Sequence, residues 1–197
     1  MGTAIAQNIS VKKTVKTQRL ISLETFRRLY DDRKDDFKYE WNNGLVEKTP
    51  RSINRNLYWL VSRLTRLFIQ TAAYRQNGEI FTTIEMFMPI SNRTRKPDLA
   101  FLTDKQIVDT ANNGEFVSAF VIEIISKSDN INRVGKKLDE YFTDGVQVVW
   151  HIFPLLEKVE VYTSPTDVTI CRGATVCSAA PVLPDFDISA ADLFKMP

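Results

Sequence analysis

Histidine occurs once in the 197 residues, cysteine twice and glycine seven times. Each scarcity removes a class of chemistry. Cys171 and Cys177 stand six apart, with no second Cys pair and no neighbouring His to complete a zinc site, so they read as buried or idle thiols. The seven glycines form no phosphate-cradling loop, which argues against nucleotide binding. The one histidine, His151, lies between Trp150 and Ile152 in an apolar stretch and reads as a packed or solvent-facing residue. No apolar run approaches the roughly 20 residues needed to cross a bilayer, and the longest, Ala119 to Ile125, is interrupted by Glu123. The first residues carry Lys and Thr where a secretory signal would be apolar, and Ala6 stands where myristoylation wants Ser or Thr. The expectation is a cytoplasmic protein.

The hydrophobic fraction of 44% and the charged fraction of 25% are those of an ordinary folded chain. Its length suits one domain, expected over residues 21–197 behind a flexible arm over residues 1–20 that lacks apolar periodicity. A net charge of +2 conceals an asymmetry, because residues 1–100 hold 18 Lys and Arg against 10 Asp and Glu. Basic clusters at Arg27, Arg28, Arg33 and Lys34, then Arg51, Arg55, Arg63 and Arg66, suit either a phosphate-contacting face or solvated helix faces.

Ser22 is placed to cap a short helix in which Leu23, Phe26 and Leu29 or Tyr30 share a side. Asn42-Asn43-Gly44 predicts a hairpin turn between Phe37–Trp41 and Leu45–Lys48. Leu57, Leu60, Val61, Leu64, Leu67 and Phe68 keep helical spacing, and Asn77-Gly78 is expected to end that helix. Strands are expected over 79–90, 98–103, 120–125, 146–153, 158–163 and 167–171, with one crossover helix over about 132–143. The fold class is therefore α/β (α+β), a mixed sheet flanked by helices.

Chemistry concentrates at Lys96-Pro97-Asp98, at Glu123 within Phe120-Val-Ile-Glu-Ile-Ile125, and at Lys137 on the following helix. An ionised Glu123 amid such apolar neighbours is costly to bury unless a cation compensates it. Two carboxylates at the ends of neighbouring strands repel by about 4 kcal/mol at an effective dielectric near 20, and one divalent cation relieves both penalties. All-oxygen ligation suits Mg2+ or Mn2+, which can polarise a phosphodiester while a lysine ammonium stabilises developing charge. Arg133, Lys137 and Tyr141 are four apart and share a helical face. Glu85, a further carboxylate in an apolar stretch, is either a support for that site or an edge-strand charge.

Tyr39-Glu40-(x)3-Gly44-Leu-Val46, Lys96-Pro-Asp98, Val121-Ile-Glu123-Ile-Ile-Ser126-Lys-Ser128, Lys137-(x)3-Tyr141-(x)3-Gly145-Val146, Trp150, Val161-Tyr162 and Leu183-Pro-Asp-Phe186 down to Leu193-Phe194 follow one another in that order. That ordered series resembles the Uma-two-type putative restriction endonuclease family of the PD-(D/E)xK nuclease superfamily. The resemblance spans nearly everything after about residue 20. It implies a restriction-endonuclease-like core, DNA as substrate and magnesium as cofactor. It makes Asp98 and Glu123 the metal ligands and Lys137 a displaced catalytic lysine, since Ile125 stands where the motif would place Lys. It adds Glu40 as a further acidic member of the site. Arg133, Arg51 and Arg55 are the candidate nucleic-acid contacts, and a symmetric dimer would be the simplest way to cut both strands.

Three positions depart from the family. Arg133 stands where the family usually has Asp; Asn54 or Arg55 where it often has His; and Phe153-Pro154 where it has Asp-Pro. A guanidinium at 133 could pair with a site carboxylate or bind a phosphate. A second reading follows, a nucleic-acid-binding or interaction module on a nuclease scaffold whose site has decayed. A third, a small-ligand α/β protein with a coincidental motif, would require Asp98 and Glu123 to lie far apart.

Overall fold

The computed structural model describes residues 19–31, 33–51 and 57–196. Of the arm expected over 1–20 only Arg19 and Leu20 fall among them, and Asn54 and Arg55 lie outside.

Helix α1 (Leu23–Tyr30) begins where Ser22 accepts the Thr25 N–H, and it buries Phe26. Strands β1 (Phe37–Asn42) and β2 (Leu45–Pro50) pair antiparallel through a two-residue turn in which Asn43 and Gly44 both have positive φ. Along β1 the side chains alternate. Tyr39 and Trp41 pack with Phe26 in a small apolar cluster, while Lys38 and Glu40 belong to the opposite face. Strands β5 (Arg93–Arg95) and β4 (Met86–Met88) complete a four-stranded sheet of order β2-β1-β5-β4.

The larger sheet runs β10-β9-β8-β7-β6-β3, with β3 Glu79–Thr82, β6 Leu99–Leu102, β7 Phe120–Ile124, β8 Val148–Phe153, β9 Lys158–Tyr162 and β10 Val168–Cys171. Among the described residues only β7 and β8 pair parallel, so they need a crossover, which α5 (Ile131–Thr143) supplies. Strand alternation sorts the two faces. Leu99, Phe120, Ile122, Ile124, Trp150 and Ile152 pack with Leu60, Leu64 and Phe68 of α2 (Tyr58–Phe68). Ala100, Val121 and Val149 pack on the other face with Leu138 and Tyr141 of α5. Glu123 and His151 fall on that second face by the same alternation. A short ribbon of β11 (Val176–Ala179) and β12 (Leu183–Ser189) leads into α6 (Ala190–Phe194).

Several boundaries differ from the sequence expectation. The helix expected to run to Asn77 stops at Phe68, because the Thr71 hydroxyl donates to the Phe68 carbonyl at 2.7 Å and accepts the Tyr74 N–H, capping the separate α3 (Ala72–Arg75). Gly78 still has a structural reason, since a Cβ there would come within 2.8 Å of the Phe101 ring. The strand expected over 79–90 breaks at Thr83, whose φ is 56°, and its halves enter different sheets. Helix α4 (Asp104–Ala111), opened by a Thr103–Gln106 capping box, was not anticipated; nor were β5, β11, β12 and α6. Among the described residues no helix is long and apolar enough to cross a membrane.

Candidate functional site

Asp98 stands one residue beyond the Leu99–Ile122 pair of the antiparallel β6–β7 ladder, and so lies opposite Glu123. Residues opposite one another on such a ladder share a face. Both carboxylates are buried, and both turn toward one point, the Lys38 Nζ, at 3.4 Å from Asp98 Oδ1 and 3.5 Å from Glu123 Oε2. The other Asp98 oxygen accepts the Ile124 N–H at 2.7 Å. Glu123 Oε1 accepts the Tyr141 hydroxyl at 2.6 Å and lies 3.5 Å from the Lys137 ammonium. Lys137 donates to Glu40 Oε1 at 2.9 Å. The four site residues expected from sequence, Asp98, Glu123, Lys137 and Glu40, thus form one buried group, and the separation of Asp98 from Glu123 that the coincidental-motif reading required is absent.

Their placement follows from two periodicities. Glu40 and Lys38 are two apart on β1, so they reach across together from the small sheet. Lys137 and Tyr141 are four apart on α5, whose Asn130 cap accepts the Arg133 N–H and fixes where the helix starts. Helix α5 also buries Glu140, which faces the small sheet instead.

Burial and charge set the protonation of the pair. Burial pushes the Asp98 carboxyl up to about 6, and the neighbouring Glu123 charge adds to that rise against the pull of Lys38. Glu123 is held below the usual carboxylate range because Lys137 and Lys38 together outweigh its own burial. For Glu40, burial is likewise outweighed, by Lys137, Arg95 and Lys38, and its carboxyl lies far below the ordinary range.

Two members of this charged group escaped the sequence reading. Lys38 is one. Arg95 is the other: it donates to Glu40 Oε2 at 3.1 Å, to Glu47 Oε2 at 3.0 Å and to Glu140 Oε2 at 2.5 Å. It thereby fixes Glu40, and through it Lys137, while Arg93 joins the same Glu140. Arg95→Met would leave three carboxylates short of a counter-charge. We expect it to lower stability by about 3–5 kcal/mol, the usual cost of breaking a buried pair, read as a fall in urea midpoint. A midpoint within experimental error of wild type would contradict that role.

Other expectations are redistributed. Arg133 is exposed and, among the described residues, makes no ion pair; it lines a cleft with Glu123, Lys137, Lys38 and His151 rather than closing over the carboxylates. Arg51 is exposed and lines a second cleft that reaches Asp98. Glu85 pairs with Arg27 and Lys96, not with the Asp98–Glu123 pair. His151 is buried beside Glu123 in the parallel register, its ring set edge-on to Tyr162; burial lowers its basicity. The basic half of the chain is less free than its count suggests. Arg63 donates to the Asp192 and Leu193 carbonyls at the end of α6, and Arg27 and Arg95 are tied to carboxylates.

The sequence model of a family described as "Uma2: Putative restriction endonuclease" matches residues 23–191. Among solved structures, the chain resembles a putative nuclease belonging to DUF820 from Anabaena variabilis ATCC 29413, with a TM-score of 0.72 and 17% identity, over 88% of this chain and 97% of that one. At that identity the likeness establishes the fold. No curated protein sequence matches.

Proposed function

Since the chain belongs to the Uma2 family of putative restriction endonucleases, we propose that it is a Mg2+- or Mn2+-dependent DNA endonuclease whose ligands are Asp98 and Glu123. One observation carries this reading: two buried carboxylates on neighbouring strands share a single cation position, now filled by an ammonium. The residues fit a hard dication in donor type and charge. Among the described residues no cluster of three or more His, Cys, Asp or Glu is arranged for a metal. The remaining ligands would therefore be water and substrate oxygens, as is usual for magnesium.

When bound, the dication supplies Lewis-acid polarisation of the scissile phosphodiester and acidifies a water. The chain's own residues do the rest. Lys137, held at 2.9 Å by Glu40, presents a fixed ammonium to the charge that develops on the phosphate. Tyr141 donates to Glu123 Oε1 and leaves Oε2 for the cation. Arg133 and Arg51, in clefts on either side of the pair, contact the flanking phosphates.

The direct test incubates purified protein with supercoiled plasmid, linear duplex and single-stranded DNA in Mn2+. Cleavage that EDTA stops is expected, and its absence on every form overturns the reading. A second reading, a binding module without catalysis, draws on Lys38 in the cation position and on Arg133 at the family's Asp position. It requires DNA binding that is salt-sensitive and indifferent to EDTA.

A further inference from the structure

Lys38 has no place in the sequence pattern that identifies the site, yet its ammonium lies at the centre of it. The side chain is buried, and its polar partners among the described residues are Asp98 and Glu123. Both contacts, at 3.4 and 3.5 Å, are long for a charge-assisted hydrogen bond, which is usually about 2.7–2.9 Å. The ammonium is held by charge more than by fitted bonds. Asp98, Glu123 and Glu40 supply that charge. Lys38 also stands between two clefts: Glu123, Arg133 and Lys137 line one, and Arg51, Tyr58 and Asp98 line the other.

We infer that Lys38 is the resident counter-ion of the acidic pair, occupying the divalent-cation position and leaving it when metal enters. The inference rests on the reading of Asp98 and Glu123 as metal ligands. A dication ligated by both carboxylates would lie close against the Lys38 ammonium that now stands 3.4 and 3.5 Å from them, and like charges so near repel strongly even at an effective dielectric near 20. The flexible four-carbon stem of lysine lets the head swing into the Arg51 cleft without moving β1. Metal-free protein thus keeps its two carboxylates compensated, and metal affinity is set by exchange against Lys38 rather than by filling an open site.

Calorimetric titration of the full chain with Mn2+ tests this in the wild type, Lys38→Met, Lys38→Arg and Glu123→Gln. Lys38→Met is expected to bind Mn2+ at least ~10-fold more tightly than wild type, and to show a larger Mn2+-induced rise in melting temperature. Lys38→Arg, which keeps a cation in place, is expected to bind no more tightly than wild type. A purely structural role for Lys38 would weaken binding in both variants. Should Lys38→Met fail to fold, Lys38→Gln carries the same comparison, because its amide can still donate to one carboxylate. Lys38→Met affinity equal to or below wild type, with Glu123→Gln still abolishing binding, overturns the exchange and leaves the metal site standing. Binding that is absent in wild type and Lys38→Met alike overturns the metal site, and the exchange with it.

Discussion

Glu123→Gln is expected to abolish metal binding and to slow Mn2+-dependent cleavage by about 1,000-fold or more, equivalent to about 4 kcal/mol of transition-state stabilisation. The amide keeps the size of the carboxylate and still accepts the Tyr141 hydroxyl, now 2.6 Å from Oε1. What it loses is the charge that, with Asp98, defines the cation position. Folding should survive, because the change leaves Lys38 paired with Asp98 and Lys137 paired with Glu40. Circular dichroism melts alongside single-turnover cleavage separate the two effects. A variant that melts like wild type and still cuts at more than a tenth of its rate would remove Glu123 from the metal site.

Lys137→Met carries the second large effect, and of a different kind. Lys137 is ion-paired with Glu40 and Glu123, and in the proposed mechanism its ammonium acts on substrate and does not hold metal. Loss of an oriented cation from a transition state typically slows a reaction by about 100- to 1,000-fold. Metal affinity should stay the same or tighten, since the acidic pair gains net negative charge. Cleavage rate and Mn2+ affinity measured on one preparation therefore distinguish Lys137 from Glu123: the first variant loses rate alone, the second loses both. Parallel loss of rate and affinity in Lys137→Met would make Lys137 a structural support for the ligands.

Glu123 stood out in sequence because a carboxylate inside Phe120-Val-Ile-Glu-Ile violates the apolar pattern around it, whereas Asp98, after Pro97, reads alone as a turn former and was singled out as its partner by the family resemblance. The four-residue spacing of Arg133, Lys137 and Tyr141 gave a shared helical face, and the resemblance singled out Lys137 upon it. Lys38 was not legible, because a lysine beside a hairpin ordinarily faces solvent. The available signal was subtler: Lys38 and Glu40 alternate with Tyr39 and Trp41, so once the aromatic pair is assigned to the α1 face, the charged pair must face the opposite way. Arg95 was hidden because β5 is three residues long, and its partners Glu40, Glu47 and Glu140 lie 45 or more positions away. The split between α2 and α3 was missed for a local reason, since Thr71 caps one helix while closing the other, and the first turn signal after Phe68 was Asn77-Gly78. The basic first half read as either a phosphate-contacting face or solvated helix faces, and Arg27, Arg63, Arg93 and Arg95 prove to be tied to carboxylates or carbonyls of the protein itself. Arg51 and Arg133 are exposed guanidinium groups that line clefts reaching Asp98 and Glu123 respectively, and these are the two for which phosphate contact is proposed.

Anomalous scattering from crystals soaked in Mn2+ addresses the metal site most directly. One peak is expected between Asp98 Oδ1 and Glu123 Oε2, with the Lys38 ammonium displaced from its present 3.4 and 3.5 Å contacts. Crystals that take up manganese elsewhere, while Lys38 stays between the two carboxylates, would contradict it.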